Sequence, residues 1–282
     1  MTQKFKTVPS PEQLRTMDRD LQFYPSTTPN PAALTPQQIE SFNTNGYLKG
    51  LRIFDEGEIA ELRHYFDKLL ADVMAAGGTS YSVSSAHLRC GRVHDLMQHP
   101  RIVAVAQDLL GPEIVGLASQ FFCKIPHDPV NITWHQDASY WPRTPSKTVT
   151  FWLAIDDADS ENSCMRFIRG SHLRGRLDYR QSEAAENNLF NQTVVDAEEV
   201  GECVDVELKA GEISVHSDLM LHSSQANRSN RRRCGLTLRY CSIDVRAFPG
   251  FGWAEEGLVI SGADPANHWG NPPRPAQDLI AP

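Results

Sequence analysis

The stretch Asn131–Trp141, NITWHQDASYW, sets His135 and Asp137 two residues apart among Trp134, Tyr140 and Trp141. On an extended chain residues i and i+2 point to the same face. An imidazole and a carboxylate would then project together, with Gln136 on the other side. Together they can fill two positions of an octahedral ion. A second histidine from another strand would complete a two-histidine, one-carboxylate triad that leaves three positions open for reactants. A polar strand edge would give the same spacing, so a third ligand decides between the two.

Among the other histidines, His64, His94 and His99 fall in helical stretches, His127 and His268 in loops, and His172 in a turn after Gly170-Ser171. His216 and His222 stand apart from these, both within SVHSDLMLHSSQANRSNRRRCGLTLRY. The residues beyond His222 favour it over His216: SQANRSNRR is a polar turn and CGLTLRY a returning strand. Arg233 lies eleven residues after His222, so a hairpin centred near Asn227–Arg228 would bring the two together across two strands. Parity puts Gly235, Thr237 and Arg239 on the face of Arg233, and Leu236, Leu238 and Tyr240 on the other. An inward arginine beside a metal ligand requires an anion, and a carboxylate held bidentately suits it. A keto acid gripped there could chelate the metal with its far end. Arg231 and Arg232 read as a solvated basic turn.

These residues need elements to hold them. Residues 1–34 are polar and proline-bearing and read as an irregular arm. LTPQQIESFNTNGYLKG reads as a helix capped by Thr35 and ended by Gly46. DEGEIAELRHYFDKLLADVMAAGG reads as a second, with Ile59, Leu62, Phe66 and Leu69 at three-four spacing, and HPRIVAVAQDLLG as a third. Residues 35–112 are thus mostly helical. Over 113–245 short strand-like runs alternate with turns: EIVGLASQFFCKI, TVTFWLAID, SCMRFIRG, CVDVELKAGEISVH and CGLTLRYCSID. Helices first and strands later, with no repeated βαβ pattern, imply a mainly β sandwich or barrel with helices outside. The Gly- and Pro-rich tail, 246–282, is expected to wrap the surface of what reads as a single domain.

Bulk properties exclude some partners. The 282 residues carry a formal net charge of −8, which disfavours nucleic acid and anionic membranes. No apolar run is long enough to span a membrane, and the N-terminus lacks the apolar core of a signal peptide. Six cysteines without CxxC spacing suggest neither zinc knuckle nor disulfide framework. A reduced, cytoplasmic protein with a small-molecule substrate is expected. The oligomeric state is not legible.

The segments WHQD, FWLAIDDADSENSCMRFIRGSH and LHSSQANRSNRRRCGLTLRY, in that order, resemble the phytanoyl-CoA dioxygenase family of Fe(II)/2-oxoglutarate-dependent oxygenases. The resemblance covers roughly residues 35–245. It implies a double-stranded β-helix (a jelly roll, cupin-like) with helices outside. It further implies that His135, Asp137 and His222 hold Fe(II), that Arg233 pairs with the distal carboxylate of 2-oxoglutarate, and that Ser224 adds a hydrogen bond. Trp152 would pack beside the cosubstrate, and Lys124 and Gln120 could reach it. The reaction implied is hydroxylation by O2, with release of succinate and CO2. The carboxylate at Asp137 occupies the place left to chloride in related halogenases, which favours hydroxylation. Desaturation, ring closure, a non-catalytic metal-binding jelly roll and hydrolytic zinc chemistry stay as alternatives.

Two positions depart from the family pattern: Ser163 stands where glycine is usual, and Arg169 where proline is. With Arg166 that puts extra charge in CMRFIRGSH, either as surface charge or as a contact to an anionic substrate. Tyr140, Trp141 and Asn191 are candidate substrate contacts, with Arg239. The aromatics would form an apolar wall or a cage for a quaternary ammonium, which would suit a zwitterion such as an aminoalkylphosphonate. Phe151 and Phe190 fit core packing, and SYSVSSAH around Tyr81 could close as a lid. No long basic stretch suggests a handle for coenzyme A.

Overall fold

In the computed structural model, residues 8–278 are described; 1–7 and 279–282 lie outside the described residues. Three of the helices begin with reciprocal capping boxes, Ser10 with Gln13, Thr35 with Gln38 and Asp55 with Glu58, each satisfying two otherwise orphaned backbone donors. They start α1 (Pro11–Thr16), α2 (Pro36–Asn45) and α3 (Glu56–Ala75). Then come α4 (Gly91–Met97) and α5 (Pro100–Leu110). Helix α2 ends where Gly46 turns left-handed at φ 85°. The arm is therefore not wholly irregular, since α1 lies in it, and α4 has no counterpart among the expected helices.

Ten strands build the two main sheets: β1 (Tyr47–Arg52), β2 (Ile114–Lys124), β3 (Ile132–His135), β4 (Thr148–Ala154) and β5 (Met165–Ile168), then β6 (Cys203–Val206), β7 (Glu212–Ser217), β8 (His222–Ser224), β9 (Arg233–Ser242) and β10 (Leu258–Ser261). The larger sheet runs β1-β7-β4-β9-β2-β10 and the smaller β3-β8-β5-β6, antiparallel throughout. This is the expected jelly roll with helices outside. Helices and strands are not cleanly segregated along the chain, however. β1 comes between α2 and α3, and β10 in the tail adds the outer strand beside β2 rather than merely wrapping the surface. CVDVELKAGEISVH is two strands, not one, broken at Gly211, where φ is 87°.

Parity along β9 decides which side does what. Leu236, Leu238 and Tyr240 join Phe66, Val73 and Ile102 of the helices in the main apolar cluster. Each such fully buried side chain contributes roughly 1.5–3 kcal/mol by leaving water. The alternate residues Arg233, Thr237 and Arg239 face inward and line a cavity between the sheets. The helices seal one face of the large sheet, so polar groups can be gathered on the other.

Candidate active site

His135 ends β3 and His222 opens β8, directly opposite each other in register. Their ring centroids lie 4.1 Å apart. The Nδ1 of His135 sits 2.8 Å from the Thr133 carbonyl and that of His222 2.9 Å from the Met220 carbonyl. A carbonyl can only accept, so each Nδ1 carries the proton and each Nε2 keeps its lone pair for a ligand. Gln136 is extended (φ −112°, ψ 133°), and Asp137 begins a short 3-10 turn. The same-side projection of His135 and Asp137 survives, although only His135 belongs to the strand. Gln136 points away and is held by the Gly175 and Leu219 carbonyls at 2.9 and 2.7 Å. One ligand atom from each of His135, Asp137 and His222 lies within 4.8 Å of the others, and all three residues are buried.

The Asp137 carboxylate is asymmetric. Thr150 donates its hydroxyl to Oδ2 at 2.7 Å, while Arg239 Nε and His216 Nε2 approach the same oxygen at 3.7 and 3.9 Å. Oδ1 is left for a metal. Burial pushes this carboxyl up, but Arg239 and the surrounding histidines more than offset it, and it lies below the usual carboxylate range. Burial first, then neighbouring positive charge, takes His135 down to about 3 and His222 to about 4. His216 falls to about 4 mainly through burial. Neutral imidazoles are what a metal requires. With the imidazoles neutral, Arg239 is the cation that stands beside the Asp137 carboxylate.

Arg233 reaches in from the other sheet. Its strand pairs with β2 and β4 and not with β8, so His222 and Arg233 meet across the sandwich and not as neighbours in a hairpin. Arg233 is 1% exposed. Its Nε donates to the Ser163 carbonyl at 2.9 Å and its Nη2 to Ser224 Oγ at 3.1 Å. The guanidinium carbon stands 5.4 Å from the Trp152 ring centre. Ser163 has φ 73°, the left-handed conformation that favours glycine, which fits the family's usual residue there. A Cβ at Gly235 would come within 2.1 Å of the Trp152 ring, so only glycine lets that indole seat.

Two linked cavities result. The inner one, about 40 Å³, is lined by the triad, Trp152, Ser224 and Arg233. The outer one, about 560 Å³, shares Asp137, Phe190 and Arg239 with it and is walled by Tyr140, Trp141, Asn191 and Gln120. Gln120 thus borders the outer space and not the surroundings of Arg233. Lys124 lines neither cavity. It lies opposite Arg233 in register and donates to the Ser224 carbonyl and Ser163 Oγ, each at 3.3 Å, and to the Gln225 carbonyl. Burial and then Arg233 push its ammonium down to about 6. It braces the turns beside the site.

Arg166 is not at the site either. Strand parity points Met165 and Phe167 inward and Arg166 outward, where it pairs with Glu198 at 2.9 Å and Asp205 at 3.6 Å. Arg169 pairs with Glu202 at 3.1 Å. Both are surface ion pairs and contact no cavity ligand position. Thr237 lines the inner cavity as parity from Arg233 placed it, whereas Thr150, which also lines it, was not singled out by sequence, and His216 lines it although it was set aside as a ligand. Thr150 could have been found by parity, two residues from Trp152. His216 is brought there by the β7–β4 register that sets it opposite Thr150. It is buried, with neither ring nitrogen hydrogen-bonded.

Comparison with known proteins agrees with this geometry. The family model for phytanoyl-CoA dioxygenase (PhyH) matches residues 42–235. A probable alpha-ketoglutarate-dependent hypophosphite dioxygenase from Stutzerimonas stutzeri is 27% identical over 184 residues, a match spanning 64% of each chain. Among solved structures, the apo form of ThoJ, a non-heme monooxygenase, has a TM-score of 0.73 at 26% identity, covering 85% of this chain and 88% of that one. The epimerase SnoN from nogalamycin biosynthesis, solved with Fe3+, alpha-ketoglutarate and nogalamycin RO, has a TM-score of 0.64 at 26% identity, covering 86% and 93%. Among the described residues no helix is long and apolar enough to cross a membrane.

Proposed function

The chain belongs to the phytanoyl-CoA dioxygenase family, and we propose that it is a cytoplasmic, single-domain Fe(II)/2-oxoglutarate-dependent dioxygenase that hydroxylates an unactivated C–H bond of a small organic molecule. The observation that carries this reading is the convergence of three buried ligand atoms within 4.8 Å, with a buried arginine facing them across the sandwich. The donor set of two neutral imidazoles and one carboxylate suits non-haem iron and leaves positions for a chelating cosubstrate and O2. When bound, iron and 2-oxoglutarate supply the oxidising chemistry, with release of succinate and CO2.

The chain's own residues supply position. The Thr133 and Met220 carbonyls hold the two imidazoles in one tautomer. Thr150 occupies one oxygen of Asp137 and keeps that ligand one-handed. Arg233, with Ser224 beside it, receives the distal carboxylate of 2-oxoglutarate, and Trp152 flanks it. Desolvation around Arg233 strengthens that ion pair and keeps water from competing for it. Asp137 supplies a protein ligand where halogenases leave room for halide, so oxygen transfer is the expected outcome. A relative described as an epimerase has the same fold, so the placement of the substrate C–H decides between hydroxylation and related oxidations.

The test is succinate formation. Protein loaded with Fe(II) and 2-oxoglutarate without oxygen, then exposed to O2, is expected to yield succinate, and Arg233→Ala to yield far less at limiting 2-oxoglutarate. Succinate no higher than in metal-stripped protein would remove the reading.

A further inference from the structure

The outer cavity is built around a positive charge that the proposed cofactors do not use. Arg239 lies where the two cavities meet and lines both. Its side chain is 13% exposed. Its Nε has no hydrogen-bond partner, and its Nη1 makes only a long contact to Thr237 Oγ1 at 3.4 Å. The nearest carboxylate, Asp137 at 3.7 Å, is the one assigned to the metal. A guanidinium this deep with donors unspent is matched by an oxyanion.

Charge accounting gives the same answer. With neutral histidines, Arg233, Arg239 and Asp137 leave one net positive charge around the inner cavity. Fe(II) and the 2-oxoglutarate dianion cancel each other, so that charge persists in the loaded site. Glu256, on the outer cavity, accepts from Ser85 at 3.1 Å, and its negative charge is set against the buried Arg143, whose guanidinium it favours.

The aromatic wall argues against a cation. The Trp141 ring already has two guanidinium carbons at 5.4 Å, those of Arg239 and Arg143. Arg143 also stands 4.7 Å from the Trp253 ring. It is 4% exposed, and none of its guanidinium nitrogens is hydrogen-bonded. A quaternary ammonium entering here would meet two buried like charges behind the indoles. Size argues against a bare inorganic oxyanion as the whole substrate. About 560 Å³ is the space of an organic ligand, within the roughly 300–1,000 Å³ typical of small-molecule sites.

We propose that the outer cavity takes an organic anion whose carboxylate or phosphonate is held by Arg239, its apolar body lying against Trp141 and Tyr140. This deepens the dioxygenase reading by naming the substrate class of the same site. The anion is then anchored beside Asp137, which directs a neighbouring carbon toward the metal position.

The test uses the full chain, first without added metal and then with Fe(II) and 2-oxoglutarate in the absence of oxygen. Four matched probes are titrated by calorimetry and tryptophan fluorescence: 3-phenylpropionate, 2-phenylethylphosphonate, the neutral 3-phenylpropanamide and phenethyltrimethylammonium. At least one anion is expected to bind about tenfold or more tighter than the amide and the ammonium, and the better of the two identifies the oxyanion. Arg239→Gln should bring the anions to the level of the amide, Arg239→Lys should restore part of the difference, and Arg166→Gln, outside both cavities, should leave it intact. The proposal is overturned if the amide or ammonium equals the anions, if neither anion binds, or if Arg166→Gln rather than Arg239→Gln abolishes the preference. Should Arg239→Gln fail to fold by thermal melt, the wild-type probe series decides alone. The metal-free arm separates failure of this proposal from failure of the iron reading, which succinate formation tests.

Discussion

The inner and outer cavities are adjacent, share Asp137, Phe190 and Arg239, and are built on different principles. The inner one is made mostly by strands. His135, Thr150, Trp152, His216, His222, Ser224 and Arg233 all sit on β3, β4, β7, β8 or β9. The outer one draws on segments between the elements: Ser84 and Ser85, Tyr140 and Trp141, Leu189 to Asn191, Trp253 and Glu256. Paired strands place side chains to within a fraction of an ångström, which a metal and a chelating cosubstrate need. Connecting segments tolerate change without disturbing the sheets. The groups that would hold the cofactors sit on paired strands, and so does Arg239 on β9, whereas connecting segments supply most of the rest of the outer wall.

That contrast can be broken first at the ligands. Asp137→Ala and His222→Ala should abolish turnover and stoichiometric iron binding, a larger loss than the roughly 10–100-fold that removal of an outer partner brings. His216→Ala, although it alters the same cavity, should retain stoichiometric iron by metal analysis. Iron loss in His216→Ala with retention in His222→Ala would reassign the third ligand. Arg233→Ala should come next. Removing one partner of a buried, hydrogen-bonded charge pair costs about 2–5 kcal/mol, so the KM for 2-oxoglutarate should rise at least ~30-fold with iron binding kept.

Thr150→Val keeps the shape and removes the hydroxyl that holds Asp137 Oδ2. Iron affinity should fall by about 10–100-fold, as read by competition with a chelator. The smallest effect belongs outside both cavities. Arg166→Ala breaks exposed pairs with Glu198 and Asp205 that are worth roughly 0–1 kcal/mol, and turnover should be unchanged. A loss of activity there would return Arg166 to the site.

Much of the inner cavity was legible because strand geometry is periodic. The i, i+2 rule placed His135 with Asp137, and parity from Arg233 reached Thr237 and Arg239. The same rules failed where connection mattered more than period. A hairpin was the simplest way to bring Arg233 to His222, but the chain crosses to the other sheet, and proximity arises from stacking. β10 was hidden because LVIS lies in a tail dominated by Gly and Pro. Lys124 shares a strand with Gln120, yet one end of that strand meets the turn at Gln225 and the other the outer cavity. His216, weighed against His222 as a third ligand, lines the same cavity because of its register with β4. Arg166 was drawn toward the site by its charge, and its outward parity on β5 sends it to the surface.

The most direct measurement is optical. Metal-stripped protein receives Fe(II) and then 2-oxoglutarate without oxygen, and the weak visible charge-transfer band of the chelate is followed. The account predicts that the band appears in the wild type, is lost in His222→Ala, and requires much more 2-oxoglutarate in Arg233→Ala. Bound iron with no band at saturating 2-oxoglutarate would contradict it and leave a metal site of another kind.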